Sequence, residues 1–205
     1  APTVMTEDVT VYLTTNGDAS ITVNMINDGS SDNCGITSMD LDVTDFDCTD
    51  IGANTVMLTV TDASGNTSTA TAIVTVLDAI APTVVTQDIT VQLDANGEAM
   101  ITTSDIDNGS SDNCGISSMV LSKTDFDCSD LGSNTVVLTV TDGSGNVSTA
   151  TAEVSVEDNV LPAVQTQDIT LQLDANGEAM ITTSDIDNGS SDNCGIASMV
   201  LDTTD

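Results

Sequence analysis

One short stretch, in which carboxylates, amides and a cysteine lie close together, occurs three times in the chain. It reads DIDNGSSDNCGI at 105–116 and again at 185–196, and MINDGSSDNCGI at 25–36. Carboxylate and amide oxygens are the ligands that Ca²⁺ prefers, and the ion takes about six to eight of them. The cysteine is able to form a disulfide, and Asp, Asn and Gly are also the usual residues of polar turns. The stretch therefore suits a calcium site, a disulfide anchor or a turn.

The overall composition excludes several kinds of chemistry. The 205 residues include 33 Asp and Glu, a single basic residue, Lys123, and no His. Without His, Ser–His–Asp and Cys–His catalysis and His-based zinc sites are impossible. A net charge of −32 repels phosphate backbones and anionic lipid, so we expect no nucleic-acid partner and no electrostatic docking to a membrane. No apolar run is long enough to span a bilayer, so we also expect no direct membrane insertion of this segment.

Internal repetition predicts the domain organisation. Cys34, Cys114 and Cys194 follow one another at intervals of 80 residues, and APTV at 1–4 returns at 81–84. We therefore expect one domain at 1–80, a second at 81–160 and an incomplete third repeat at 161–205. The third repeat stops before its second cysteine and before its last two strands, so we expect the chain to be a segment of a longer, exported protein.

Within each repeat, apolar and polar residues alternate, which predicts strands rather than helices. The strand NTVVLTVTD at 134–142 is expected to point Val136, Leu138 and Val140 inward. DANG at 94–97 predicts a hairpin turn, because Asn-Gly tolerates positive φ. The predicted strands of the second repeat lie at 89–93, 99–101, 116–123, 134–142 and 148–158. This pattern predicts an all-β fold of tandem Ig-like antiparallel β-sandwich domains in an elongated array.

The two cysteines of each complete repeat lie 14 residues apart, which predicts an intradomain disulfide in an exported protein. The predicted pairs are Cys34–Cys48 and Cys114–Cys128, with the partner of Cys194 outside the chain. Closing such a loop contributes about 3 kcal/mol in the chain-entropy model. The alternative is a pair of buried free thiols in a cytosolic protein. A zinc site is disfavoured, since two thiolates without His do not complete a tetrahedron.

Acidic loop residues form a candidate calcium site. In an Ig-like sandwich, the loops at 103–115 and 142–147 are expected at the pole that receives the preceding linker. A cluster of carboxylates at that pole would repel itself strongly without a cation. The candidate ligands are Asp78, Asp105, Asp107, Asp112, Asp142 and Asn146, followed in the third repeat by Asp158, Asp185, Asp187 and Asp192.

Two observations limit this calcium interpretation. The first repeat has Met25 and Asn27 where the second has Asp105 and Asp107, so a site common to both must rest on their shared residues. DGSGN at 142–146 resembles the start of an EF-hand loop, but Val147 stands where that loop requires Gly. The competing interpretation is that these Asp and Asn residues accept backbone N–H bonds and cap turns.

The motifs DNCG at 112–115 and TDGSGN at 141–146, which recur at 32–35 and 61–66, resemble the hyalin-repeat (HYR) family of Ig-like modules. The near-identical tandem copies, opening with APTVVTQDITVQLDANGEA, also resemble repeats of giant Bacteroidetes adhesins that serve gliding motility. This resemblance implies export through the type IX system, a place on the outer surface of a bacterial cell, and a role in attachment or gliding.

Three functions are compatible with these features. The first is a structural and adhesive filament, whose short linkers at 76–84 and 156–164 contain Pro82 or Pro162 and lack a Gly/Ser hinge. The second is a module that binds a glycan or protein, although there are almost no aromatic residues to anchor a ligand. The third is the non-catalytic stalk of a secreted enzyme. We expect no catalytic residues, and we expect other repeats of the same long chain and an unknown surface, glycan or protein as partners.

Overall fold

The computed structural model describes residues 1–202. The first repeat contains β1 (Val9–Tyr12), β2 (Asp18–Ser20), the one-turn helix α1 (Val23–Ile26), β3 (Ile36–Leu41), β4 (Asp45–Asp47), a 3₁₀ turn (Cys48–Asp50), β5 (Gly52–Asp62) and β6 (Thr67–Leu77). The second contains β7 (Ile89–Gln92), β8 (Glu98–Met100), α2 (Thr103–Ile106), β9 (Ile116–Leu121), β10 (Asp125–Asp127), a 3₁₀ turn (Cys128–Asp130), β11 (Gly132–Asp142) and β12 (Val147–Glu157). Beyond residue 160, the only regular element in the described part is α3 (Thr183–Ile186).

Each complete repeat forms two sheets. In the first, β1-β6-β5-β3 make a four-stranded sheet and β2-β4 a two-stranded one, and in the second the orders are β7-β12-β11-β9 and β8-β10. The predicted tandem Ig-like sandwich is thus confirmed, but its sheets are not purely antiparallel. Strand β1 pairs in parallel with β6, from Val9 opposite Val74 to Tyr12 opposite Leu77. A parallel pair needs a long crossover connection, which the rest of the repeat supplies.

The cores follow the alternation in the long strands. Val56, Leu58 and Val60 of β5 are fully buried together with Val74 and Val76 of β6. Of the residues between them, Met57 is exposed and the two Thr residues are half-buried. Burying one such aliphatic side chain contributes about 1.5–3 kcal/mol. The central hairpin of each repeat is therefore the main source of its apolar core.

The same alternation confirms the predicted inward face of β11 in the second repeat. Val136, Leu138 and Val140 are fully buried, and on β12 the alternate apolar residues are buried except Ala150, which is half-buried.

The turn predicted at 94–97 is present, but the hairpin is not. Gly97 donates its N–H to the carbonyl of Asp94 at 2.9 Å and has a φ of +78°. Strand β8 then pairs with β10, whereas β7 pairs with β12. A turn signal describes local backbone conformation only, and here the turn carries the chain from one sheet to the other.

Contacts divide the chain into two compact units that do not coincide with the sequence repeats. Unit 1 consists of Ala1–Val85, Gly109–Val120 and Thr139–Ala150. Unit 2 consists of Thr86–Asn108, Leu121–Leu138 and the segment from Thr151 onward. The domain boundaries at 80 and 160 stay a prediction.

The predicted disulfide pairing is wrong. The structure pairs Cys48 with Cys114 and Cys128 with Cys194, each across 66 residues with 5.3 Å between the Cα atoms, and leaves Cys34 as an exposed free thiol. Both bridges lie within a compact unit, the first in unit 1 and the second in unit 2.

Strand lengths explain why Cys34 and Cys48 do not meet. The six residues of β3 carry the chain about 20 Å away from Cys34, and β4, which pairs antiparallel with β2, continues in the same direction to the turn that follows β1, where Cys48 Sγ lies 3.7 Å from the Gly17 carbonyl. Cys48 therefore stays far from Cys34 and is bridged instead by the loop of the following repeat.

Candidate cation site

Three chain segments bring the candidate ligands together in unit 1. Asp78 directly follows β6, Asp112 lies in the loop before β9, and Asp142 is the last residue of β11. The loop is held against the linker by two backbone bonds: Thr83 donates to the carbonyl of Ser111 at 2.7 Å, and Ser111 donates to that of Thr83 at 2.9 Å. Residues far apart in sequence thus meet where two strands end.

The three side chains form a tight and mostly buried cluster. One carboxylate oxygen from each of Asp78, Asp112 and Asp142 lies within 4.8 Å of the others. Asp78 and Asp142 are 7% and 2% exposed, and Asp112 is half-buried. Like charges at that spacing repel by about 3.5 kcal/mol per pair at an effective dielectric constant of about 20. Nearby hydrogen-bond donors or a positive charge must therefore offset this repulsion.

Hydrogen bonds satisfy only part of the cluster. Asp112 Oδ1 accepts from the Cys114 backbone N–H at 2.9 Å, and Asp78 Oδ1 accepts from Ile80 at 3.1 Å and from the Asn113 amide at 3.3 Å. Three buried oxygens remain without a hydrogen-bond partner: Asp78 Oδ2, Asp112 Oδ2 and Asn113 Oδ1. Leaving a buried polar atom unpaired costs about 1–3 kcal/mol, and more for a charged group.

Asp142 is held in its charged form. Its Oδ1 accepts backbone bonds from Ser144 and Asn146 at 2.9 and 2.8 Å, and its Oδ2 accepts from the Asn146 amide at 2.7 Å. Burial is the largest single influence and raises the pKa of Asp142, but the bonds from Asn146 and the following turn together outweigh it. The pKa of Asp142 therefore lies below its ordinary value.

Asn146 was predicted as a calcium ligand, but its side chain acts as a hydrogen-bond donor. Its amide nitrogen donates to the backbone carbonyls of Asp78 and Ile80, both at 3.2 Å, as well as to Asp142. The side chain therefore ties the linker to the end of β11 and positions two of the carboxylates. Asn113, which sequence reasoning missed, directs an unpartnered oxygen into the buried region instead. The Asn of the DNC motif is present in all three repeats, so comparison of the copies could have found it.

Asp105 and Asp107 are not part of the cluster. They belong to unit 2, where Asp105 accepts from both the N–H and the hydroxyl of Thr102 at 2.7 Å and caps α2. These bonds, from the hydroxyl first and then the N–H, lower the pKa of Asp105 against the smaller effect of burial. Asp107 forms a backbone bridge with Thr86. The carboxylate of Asp105 is therefore used by Thr102, three residues earlier in the sequence.

In the third repeat, the counterparts of Asp105 and Asp107 likewise bond to nearby backbone and hydroxyl groups. Asp185 caps α3 by accepting from Thr182, and Asp187 accepts from the Ser190 N–H at 3.0 Å. The turn-capping interpretation is therefore correct for these two residues.

Unit 2 contains a second, smaller copy of the ligand set. The Asn193 amide donates to Asp158 Oδ1 at 3.1 Å, and Asp192 Oδ1 accepts from the Cys194 N–H at 3.0 Å. Asp192 Oδ2 and Asn193 Oδ1 are again buried without a partner. Among the described residues after 160, no strand equivalent to β11 brings a third carboxylate to this pair.

In the first repeat the equivalent carboxylates face a positive charge. The amine of Ala1 lies 3.8 Å from Oδ2 of Asp32 and 3.8 Å from Oδ2 of Asp62, whose side chains are almost completely buried. Asp32 and Asp62 occupy the positions of Asp112 and Asp142 in the repeat.

The disulfide of unit 1 borders the cluster. Cys114 directly follows Asn113, and Cys48 Sγ lies 3.4 Å from the Asn113 carbonyl. The Asn113 amide also donates to the Thr14 carbonyl at 3.3 Å. Gly17 approaches so closely that a Cβ there would lie 2.8 Å from Cys48 Sγ. The bridge and these contacts fix the loop that carries Asp112.

Comparison with known proteins finds likeness only among solved structures. No protein-family model and no curated protein matches the chain. The protocadherin gammaB4 extracellular domain is 17% identical with a TM-score of 0.39, covering 82% of this chain and 34% of that one. Human mucin-like protocadherin EC1-2 is 16% identical with a TM-score of 0.36, covering 77% of this chain and 98% of that one.

A mouse clustered protocadherin, PcdhgC3 EC1-3, is 14% identical with a TM-score of 0.37, covering 77% of this chain and 67% of that one. The sandwich architecture itself rests on the strand pairing and the cores. None of the helices in residues 1–202 has the length and apolar character needed to cross a membrane.

Proposed function

We propose that this chain is a non-catalytic, structural segment of a long extracellular protein, in which Ca²⁺ and a disulfide jointly secure each repeat to the next. The observation that carries the proposal is the set of buried, unpartnered oxygens of Asp78, Asp112 and Asn113 beside the carboxylate of Asp142. These groups come from a linker, a loop and a strand end, so one ion bound to them would tie the three segments together.

The donor set selects the kind of ion. All four groups offer oxygen, and the neighbouring cysteines are consumed in a disulfide, so the soft or nitrogen-rich ligands of zinc and copper are missing here. Ca²⁺ accepts irregular sets of carboxylate and amide oxygens, whereas Mg²⁺ demands a near-ideal octahedron. A divalent cation also offsets the mutual repulsion of three carboxylates and gives the unpaired oxygens a partner.

A structural role follows from the same features. A filament must keep consecutive repeats in register, and a cation clamp beside a covalent bridge serves that purpose without any reacting group. Disulfides persist in oxidising compartments, which supports an extracellular place for the protein. The partners of this segment would then be the other repeats of the same long chain.

The finer assignment rests on the resemblance to HYR-like repeats of Bacteroidetes adhesins. On this ground the proposal extends to the outer surface of a bacterial cell, export by the type IX system, and a role in surface attachment or gliding motility. The absence of His from the chain and its near-identical copies support a mechanical rather than an enzymatic part.

The test is calcium binding by the purified 205-residue chain, measured by titration calorimetry and by thermal melting with calcium and with EGTA. We expect calcium to raise the melting midpoint, and Asp78→Asn to weaken binding at least tenfold because it removes a buried charged ligand. Asp158→Asn, its counterpart 80 residues later, is the matched control and should leave that binding event in place. An identical melt with calcium and with EGTA would refute the cation clamp.

A further inference from the structure

The loop that carries Asp112 also carries one half of a disulfide. Asp112, Asn113 and Cys114 are consecutive, and Asp112 Oδ1 accepts the backbone N–H of Cys114 at 2.9 Å. The side-chain amide of Asn113 lies 3.4 Å from Cys114 Sγ and donates to Asp78 Oδ1 at 3.3 Å. Two candidate ligands and a bridged sulfur therefore share one short piece of backbone, and neither moves without the other.

The other half of the bridge is held by the first repeat. Cys48 begins the 3₁₀ turn after β4, and its Sγ lies 3.7 Å from the carbonyl oxygen of Gly17 and 3.4 Å from that of Asn113. The Asn113 amide also donates to the carbonyl of Thr14 at 3.3 Å. A Cβ on Gly17 would lie 2.8 Å from Cys48 Sγ and 2.9 Å from the Asn113 carbonyl oxygen. The turn at 14–17, the bridge and the ligand loop are thus in close contact.

The bridge opposes the repulsion within the cluster. Asp78 follows β6 of the first repeat, whereas Asp112 belongs to the loop, and their carboxylate oxygens lie within 4.8 Å of each other and of Asp142. Like charges at that spacing favour separation of the loop from the linker. A loop freed from Cys48 would relieve the repulsion by withdrawing Asp112 and Asn113 from Asp78. The covalent bond therefore keeps together a ligand set whose charges drive it apart.

We propose that the Cys48–Cys114 disulfide sets the calcium affinity of this cluster, and that bound calcium in turn protects the disulfide from reduction. This coupling concerns the site of the proposed function and rests on it. With the bridge closed, an ion enters a prepared set of oxygens, and with the bridge open it must also restrain the loop. Linkage makes the effect reciprocal: the factor by which reduction weakens calcium binding is the factor by which calcium disfavours reduction.

The step that opens the bridge is exchange with a dithiol reductant. One thiolate of the dithiol attacks a sulfur of the bridge and forms a mixed disulfide, and its second thiolate then displaces the protein and closes a cyclic disulfide. Two electrons pass to the protein, the bond between the two Sγ atoms breaks, and each cysteine takes up one proton to become a thiol. Cys48 and Cys114 are both half-buried rather than enclosed, so a small dithiol reaches them. Because disulfides form in oxidising compartments, an exported chain gains its full calcium affinity only after the bridge has closed.

The main test is a redox titration of the 205-residue protein in mixtures of reduced and oxidised dithiothreitol, with calcium and with EGTA at equal ionic strength. Alkylation and mass spectrometry measure the open fraction of Cys48–Cys114. We expect calcium to raise the ratio of reduced to oxidised dithiothreitol at half-opening by about tenfold or more, as is usual for groups that orient metal ligands. Asp112→Asn is the matched control, since it removes a charged ligand and keeps the bridge, and calcium should leave its midpoint unshifted.

A second variant tests the packing without changing a ligand or a cysteine. Gly17→Ala places a Cβ against Cys48 Sγ and the Asn113 carbonyl, and titration calorimetry should show calcium binding weakened about tenfold. Gly29→Ala is its matched control, because Gly29 has nearly the same φ, +80° against +77°, and a Cβ there meets nothing within 4 Å. It should bind calcium like the parent chain. Equal affinities in the two variants would show that packing around the bridge does not set the site.

The outcomes separate this coupling from the proposed function. Calcium binding by the oxidised protein, with no shift of the redox midpoint, refutes the coupling and leaves the cation clamp intact. Absence of calcium binding by the oxidised protein refutes both. Far-UV circular dichroism of the reduced protein provides a further check: loss of the strand signal would show that the bridge supports the whole fold rather than the loop, and would overturn the coupling as well.

Discussion

The cluster at Asp78 and its counterpart at Asp158 are built from the same residue types 80 positions apart, yet they hold different numbers of carboxylates. In both, the linker Asp and the loop Asp and Asn adopt the same hydrogen bonds and leave the same loop oxygens unpartnered. Within residues 1–202, the first cluster also has Asp142 from a central hairpin, and the second has no such carboxylate. The linker and the loop therefore hold their Asp and Asn side chains in the same arrangement in both copies, and Asp142 adds a third carboxylate to the first.

The largest expected effect on stability comes from removing a disulfide, since a disulfide lies beside each of the two clusters. Cys48→Ser removes a bridge that closes 66 residues, worth about 4 kcal/mol in the chain-entropy model. Urea unfolding measures the loss. Cys34→Ser is the control, because Cys34 is free, and it should leave the free energy of unfolding almost unchanged.

Peptide mapping of the unreduced protein provides an independent check of the pairing. It should recover Cys48 linked to Cys114 and Cys128 linked to Cys194. A peptide containing Cys34 linked to Cys48 would contradict this pairing.

The second-largest expected effect is on the calcium response, and it distinguishes the cluster at Asp78 from its counterpart at Asp158. Asp112→Asn should abolish the calcium response of unit 1, which amounts to about 2.7 kcal/mol when calcium is at 100 times its dissociation constant. The same change should stabilise the calcium-free protein, because it removes one of three mutually repelling carboxylates while Asn keeps an oxygen for the Cys114 N–H.

Asp192→Asn is the matched control for that experiment. It alters the copy that lacks a third carboxylate, so it should leave the calcium-dependent rise in melting midpoint nearly as in the parent chain. If the two variants lose the response equally, the distinction between the two sites is wrong.

A smaller effect tests how tightly the turn and the disulfide pack. Ala at Gly97 would place its Cβ 2.7 Å from Cys128 Sγ, whereas Ala at Gly177 meets nothing within 4 Å. Both glycines have a positive φ, near +80°, so each substitution costs about 1–2 kcal/mol of backbone strain. Only Gly97→Ala adds steric overlap of about 1–3 kcal/mol. Differential scanning calorimetry should rank Gly97→Ala below Gly177→Ala, and equal midpoints would show that the turn does not press on the bridge.

The smallest expected effect concerns the caps away from the cluster. Asp47 accepts the Thr49 hydroxyl and then its N–H, and these bonds lower the pKa of Asp47 below 3.8 against the smaller effect of burial. A lowered pKa contributes stability that is present above the unfolded value and is lost as the pH falls through the folded value.

The corresponding variant is Asp47→Asn. Its melting midpoint in salt should lie below that of the parent at pH 6, and the gap should close below about pH 3.8. A gap that persists unchanged at pH 2.5 would mean that the charge of Asp47 does not stabilise the cap.

The sequence by itself determined the repeat length, the sandwich class and the inward face of β11, and it placed Asp78, Asp112 and Asp142 among the candidate ligands of one site. These follow from short-range rules: alternation selects strands and their buried face, and repetition places each loop at the same point of every copy. The acidic composition and the lack of His likewise restrict the chemistry, because they are properties of the residues themselves and do not depend on how the chain folds.

Only the tertiary structure decided the disulfide partners, the exclusion of Asp105 and the inclusion of Asn113. In the sequence, both Cys34 and Cys114 are possible disulfide partners of Cys48. The choice between them depends on how far β3 and β4 carry the chain, and not on the number of residues between the cysteines. Asp105 and Asp112 are both loop carboxylates in sequence, but Thr102 lies within reach of the first and satisfies it. Which oxygens remain unpaired is set by packing among segments 30 or more residues apart, and no local sequence pattern predicts that packing.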